Sequence, residues 1–267
     1  MSELEKLRIV TGYEFLKHIR RKRLYVILGL TLVAELVVII FVPILREAGG
    51  YPDNIMVMAF FLTVGPSLAS LGAVFFAGDA IAGEFESKTG YILLTNPVRR
   101  TTLWVGKYLA CSIAVALLMM FSYLITAVAL LAIYTEIPFE MYQSFGLALL
   151  FAGAFVSVTF FFSSISKGAM GATVMTLLLV LVLFGIIESI LMFTDNPSWF
   201  LLSTGGDSIA AVYGEYSVIL GEFLPEGVEL PFEMETMNIG LAAMAMAVYM
   251  VVGFITSIYI SNRRQLA

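Results

Sequence analysis

One cysteine and one histidine among 267 residues set the first limits. Cys111 has no second thiol, which excludes an intrachain disulfide and a cysteine metal cluster. With His18 alone there is no H-E-x-x-H zinc helix, and His18 precedes the apolar spans, so no Ser–His dyad forms at membrane depth. The phosphate-binding pattern G-x-x-x-x-G-K-[ST] is missing too: Gly106-Lys107 is followed by Tyr108 where a magnesium-binding hydroxyl is needed. Phe76-Ala77-Gly78-Asp79 and Thr204-Gly205-Gly206-Asp207 both lack the first glycine of a G-x-G-D protease motif. Charge is scarce: 13% of residues are Asp, Glu, Lys or Arg, against about 25% in soluble domains. The net charge of −5 leaves no basic excess for nucleic acid.

What is present is apolar. Hydrophobic residues make up 60% of the chain and the mean hydropathy is +0.95. Too few polar side chains remain to cover a water-facing surface, so the solvent for most of the chain is lipid. About 20 apolar residues cross a hydrocarbon core of about 30 Å as a helix. Six stretches qualify: 24–45, 55–82, 103–134, 145–165, 169–193 and 239–260. Pro43, Gly65 and Pro66 inside them are tolerable in membrane helices. The halves show no internal repeat. The first 23 residues are basic and lack an A-x-A-like cleavage site, so they read as a retained segment rather than a signal peptide.

The basic residues predict orientation, because cytoplasmic loops retain them. Seven of fifteen precede the first span, three (Lys88, Arg99, Arg100) lie between spans two and three, Lys107 stands at the near end of span three, Lys167 follows span four, and Arg263 and Arg264 follow span six. Only Arg46 falls on the other side. Both ends are therefore expected in the cytoplasm of a plasma-membrane protein. Residues 4 to 19 place Leu4, Leu7, Val10, Tyr13, Leu16 and Ile19 at helical intervals ahead of the run Arg20–Arg23. That pattern predicts an amphipathic helix in the membrane interface. The basic run after it serves as a topology anchor or has a mechanical role.

On the outside, segment 194–238 carries eight acids and no base. Carboxylates suit hard cations, but a solvated acidic loop with one or two short helices near 206–223 accounts for the same composition. Three acids fall inside the spans. A carboxylate at a helix centre costs about 2.5–3.5 kcal/mol, so such groups face a bundle interior or a wet cavity. Glu35, mid-span, and Glu188, near the outer end of span five, are thus either packing residues or part of a translocation pathway. Asp79 belongs to the polar end of span two.

Between spans two and three the apolar text breaks off. Residues 83–102 mix Glu84, Glu86, Lys88, Arg99 and Arg100 with Gly90 and Pro97. Pro97 disfavours a helical Asn96, so a helix entering from Glu86 should end near Thr95, and Thr101 or Thr102 should cap the next one. The short element between them shows Tyr91, Ile92, Leu93 and Leu94 beyond the membrane, as a surface for another protein would. The string G-E-F-E-S-K-T-G-Y-I-L-L-T-N-P-V-R-R, followed by G-K-Y-L-A, resembles the loop between the second and third spans of type-2 ABC export permeases. The matching positions are Glu84, Glu86, Thr89, Leu93, Leu94, Pro97, Arg100, Gly106 and Lys107. Lys88 stands where that family often has glycine, which appears here at Gly90, and Arg99 replaces a common small serine.

The resemblance implies an all-α integral membrane protein of six spans, an interfacial N-terminal helix and a cytoplasmic coupling helix in 83–102. It implies docking of Glu84, Glu86, Lys88, Thr89, Gly90, Tyr91, Leu93, Leu94, Pro97, Arg99 and Arg100 onto a separate ABC ATP-binding subunit. ATP and magnesium would sit on that partner, and this chain would hold no cofactor or metal. A second permease copy or a related chain would complete the exporter in the bilayer. Two other classes stay open on the residues alone: a secondary transporter or channel using Glu35 and Glu188, and a membrane anchor with no pathway.

Overall fold

The computed structural model describes residues 2–46, 49–87, 98–194, 196–214, 219 and 238–264. Lys88, Thr89, Gly90, Tyr91, Leu93, Leu94 and Pro97 lie outside them, as does most of the acidic segment 194–238. Among the described residues the chain is helical with no strand, and six segments are long and apolar enough to cross a membrane.

Helix α1 (Glu3–Arg20) begins with a reciprocal cap: Ser2 Oγ accepts from the Glu5 amide, and Glu5 Oε2 accepts from the Ser2 amide. A single extended residue, Arg21, separates it from α2 (Lys22–Leu45), the first span. The second span is jointed. Helix α3 (Ile55–Phe61) stops at Leu62, and α4 (Val64–Ala77) restarts two residues on. Pro66 explains the break, because its ring would collide with the carbonyl of Leu62 four residues earlier in a continuous helix. The tolerance expected for Gly65-Pro66 is therefore met by breaking the span rather than running through it. A second joint at Gly78–Ile81 leads into α5 (Ala82–Glu86).

The third span, α6 (Arg100–Tyr134), has 35 residues. At 1.5 Å per residue it is about 50 Å long, so it projects beyond a hydrocarbon core of about 30 Å. Its cap is Arg99 with no side-chain bond. Thr101 and Thr102 do not cap it, contrary to the expectation above: Thr101 Oγ1 accepts from Asn262 and Thr102 donates to Glu3. The fourth span is α7 (Glu140–Ile165). The fifth runs through α8 (Ala169–Leu177), a π-helical turn (Leu178–Leu183) and α9 (Phe184–Phe193). Helix α10 (Leu202–Ala211) follows and is largely buried against spans four and six, so the segment after span five includes a packed helix. The sixth span is α11 (Ile239–Arg263), capped by Asn238 Oδ1 accepting from the Leu241 amide.

Spans two to four form the buried centre, and spans one, five and six lie outside them with apolar side chains turned outward. Packing in lipid relies on close backbone approach at small residues. The widest contact, between spans four and six, follows that rule: a Cβ on Gly253 would stand 3.0 Å from the backbone of Ser157. Gly29 has open space around it. Gly253→Val should therefore lower the thermal midpoint of the detergent-solubilised protein, by an overpacking cost of about 1–3 kcal/mol. Gly29→Val should leave that midpoint in place. Equal midpoints for the two variants would mean that the crossing is looser than this geometry.

Candidate functional site

The polar groups that enter the membrane end of the molecule converge on one amine. Lys107 stands two turns into α6 and is 1% exposed. A buried ammonium survives only if paired and hydrogen-bonded. Its Nζ donates to Glu14 Oε1 of α1 at 2.6 Å and to Glu84 Oε1 of α5 at 2.8 Å. Lys17 closes the cluster, 3.2 Å from Glu84 and 3.4 Å from Glu14. Two carboxylates and two amines thus join the N-terminal helix, the end of span two and the start of span three.

The rest of α1 follows the same line of contact. Glu3 accepts from Thr102, Val10 packs where a side chain on Gly106 would stand, and His18 reaches Cys111. Gly106 is required by this approach, since its Cβ would fall 2.6 Å from Val10 Cγ1. The apolar residues of α1 are therefore divided. Val10 and Phe15 pack on the protein core, whereas Leu4, Ile9, Tyr13 and Leu16 face outward. The single lipid-facing side expected from the sequence is two apolar sides, because the helix rests on span three.

A second ion cluster secures the joint of span two. Asp79 accepts from Arg21, and from Arg23 at 3.2 Å. Ser163 of span four holds the backbone turn itself: its Oγ accepts from the amides of Ile81 and Ala82 at 3.1 and 3.0 Å and donates to the Gly78 carbonyl at 2.8 Å. Glu86 Oε2 accepts from the Ala169 amide at 2.8 Å, capping the helix that opens span five. A carboxylate is favoured there by the exposed amides and dipole of a helix start. Arg264 lies over the Phe85 ring at 4.1 Å, and Phe85 stacks on Trp104. Both acids of the motif around 83–102 thus reach inward to the bundle. Arg99 is exposed at the start of α6, and Arg100 donates to the Asn262 carbonyl at 3.4 Å.

Glu35 and Glu188 sit at separate helix junctions. Glu35 is fully buried, accepts from Ser122 and Thr126, and lies against Gly65, where a Cβ would overlap its carboxyl oxygen. Glu188 is half-buried beside α10, accepts from Thr204 at 3.4 Å and bonds to Asp207. Burial and the adjoining Glu188 push the Asp207 carboxyl above its usual range. Among the described residues no group of three His, Cys, Asp or Glu is placed to hold a metal.

His18 is the group that sequence reasoning set aside. It is buried against Phe76, with Nε2 3.6 Å from Cys111 Sγ and no partner at Nδ1 among the described residues. Burial lowers its pKa to about 4, against the opposing pull of Asp79 and Glu14; Arg21 and Lys17 also lower it. The docked ring thus refuses a proton that the undocked ring accepts from pH 6.5 downward. Stability from this contact is complete above that value and is lost as the pH falls toward about 4. Hydrogen exchange of residues 3–20, corrected for intrinsic rate, should accelerate across that window, and His18→Phe should flatten the dependence. A His18→Phe chain with an unchanged pH profile would assign the effect to another group.

Comparison with known proteins fits this arrangement. No curated protein matches the chain. A family model described as ABC-2 family transporter protein matches residues 9–198, from the second turn of α1 past the end of span five. Lys107, Glu14, Glu84 and the segment 88–97 all fall within the match. Six helices of membrane length and a family match over most of the chain lead to one assignment: the chain belongs to the ABC-2 transporter family.

Proposed function

We propose that this multi-pass permease is the membrane half of an ATP-driven exporter, and that a separate ABC ATP-binding subunit drives it through the coupling loop 83–102. The observation that supports this most is the buried cluster of Glu14, Lys107, Glu84 and Lys17. An ordinary loop needs no such foundation. Here Glu84, within that loop, shares a buried amine with the N-terminal helix and span three, so a push on the loop is delivered to three elements at once. ATP and magnesium belong to the partner in this reading, and both termini face the cytoplasm of the cell membrane.

Spans one, five and six carry the outward apolar faces against which a second permease copy, or a related chain, packs to complete the pathway. Glu188, half-buried at the outer end of span five, is the better-placed lining group. Glu35 is enclosed by its own chain. That separation favours the ATP-driven reading over a secondary transporter using both carboxylates. ATP can switch the bundle only if its partner's binding energy differs between inward-open and outward-open states.

Two experiments test the reading. Burying a leucine stabilises by roughly 1.5–3 kcal/mol, and an aspartate in its place adds an unpaired carboxylate to desolvate. Leu94→Asp should therefore insert normally yet lose the ATP-binding subunit in a pull-down, with docking weakened more than about a hundredfold for a loss of about 3 kcal/mol. Ser87→Ala should retain it. Full retention by Leu94→Asp in both low and high salt would remove 88–97 as the docking element. For orientation, an impermeant thiol reagent should label Asp53→Cys and Gln143→Cys from outside intact cells and leave Ser87→Cys and Ser166→Cys untouched. Outside labelling of Ser87→Cys would invert the topology and end the coupling argument.

A further inference from the structure

The joint between α1 and α2 carries positive charge that the described residues do not neutralise. Lys17, Arg20, Arg21, Lys22 and Arg23 crowd within seven residues. The acids beside them are already taken: Glu14 by Lys107 and Lys17, Asp79 by Arg21 and Arg23. Arg20 and Lys22 are exposed and have no anionic partner among the described residues. A cleft of about 510 Å³ opens here, lined by Tyr13, Glu14, Leu16, Lys17, Arg20 and Arg21.

Depth identifies the occupant. The outward apolar stripe of span one begins at Tyr25 and Val26, which are 59% and 65% exposed. They lie one helical turn, about 6 Å, beyond Arg21. A tyrosine at the start of such a stripe marks the membrane interface. Arg20, Arg21 and Lys22 are therefore at the level of the lipid headgroups. Tyr13 and Leu16, which line the cleft, are exposed apolar side chains beside these cations. Unspent cations one turn above an acyl-facing stripe, with aromatic and aliphatic side chains between, match an amphiphile with an anionic head.

We infer that this cleft seats the phosphate of an anionic phospholipid on Arg20, with Tyr13 and Leu16 of its lining against the glycerol, and with Lys22 and Tyr25, exposed at the start of span one, beside the headgroup and the upper acyl chain. The lipid would add a bridge between α1 and span one at the joint around Arg21. This inference requires only that the chain is embedded in a bilayer, and it stands or falls independently of the ATP-binding partner.

The test uses the full-length chain in phosphatidylcholine nanodiscs carrying a trace of photoactivatable phosphatidylglycerol or photoactivatable phosphatidylcholine. Label is mapped by mass spectrometry. Phosphatidylglycerol should mark the peptide spanning residues 9–25 with at least about tenfold preference, given two cations at the surface. High salt should erode the preference in the unaltered chain, which needs no substitution and so raises no question of folding. The double variant Arg20→Gln, Lys22→Gln should lose the preference, the charge-keeping Arg20→Lys, Lys22→Arg should keep it, and Lys167→Gln should match the unaltered chain. Equal labelling by the two lipids, or a preference that survives the double variant, would overturn the inference and leave the basic run as a topology anchor. Displacement of the label by added inorganic phosphate would also overturn it, by showing that the site takes a free anion rather than lipid.

Discussion

An amine enclosed at the end of an apolar bundle makes a strict demand on everything near it. Lys107 stays charged only because Glu14 and Glu84 reach it from two other elements, and Lys17 offsets the second carboxylate. Taking such ions out of water costs several kcal/mol per ion, which their attraction repays only when geometry and hydrogen bonding are both satisfied. The cluster is thus a poor source of net stability and a strong source of register. Removing one partner would leave the other charges stranded, so the cluster ties α1, α5 and α6 to one another at this point. The glycine preceding Lys107 and the long projection of α6 are both consequences, since α1 must come close enough for Glu14 to reach.

From that constraint the organisation of the whole end follows. Asp79 and Arg21 repeat the same device one turn away, so the α1–α2 joint is tied to span two as well as span three. Glu86 reaches onward to the first amide of span five, and Arg264 after span six lies over Phe85. The short segment 79–86 therefore touches groups from spans one, three, four, five and six or their flanks. The family match places an ABC-type permease function on this scaffold, and the side-chain contacts show how few residues connect its helices there.

The six spans were legible because lipid imposes a long apolar run that no other constraint imitates. Local signals reached further in places: Ser2 and Glu5 stand at capping-box spacing, and Asn238 stands just before span six. Pro66 was visible too, but only its carbonyl clash with Leu62 turns a tolerated residue into a break. Contacts between distant segments were not legible. Glu14, Lys17 and His18 share one side of α1 at spacings of three and four, and a lysine inside an apolar span must find acids. Those two facts invite a pairing, yet nothing local says which acid meets which amine. His18 looked inert for the same reason, since burial against Cys111 and Phe76 is a tertiary fact. The helix α10 was also misplaced toward the surface, because Leu201, Leu202 and Ile209 show as buried only once spans four and six surround them.

The jointed second span has a mechanical meaning of its own. A straight helix of membrane length carries a displacement from one face of the bilayer to the other. Here the path is three rods of about 10, 21 and 8 Å, meeting at Leu62–Thr63 and at Gly78–Ile81. Ser163 grips the second joint with one hydroxyl on three backbone groups. Such a linkage divides the span into three short pieces, the last joined to the middle one at a turn that span four holds through Ser163. A single rigid rod does not run from one face of the membrane to the other along this span.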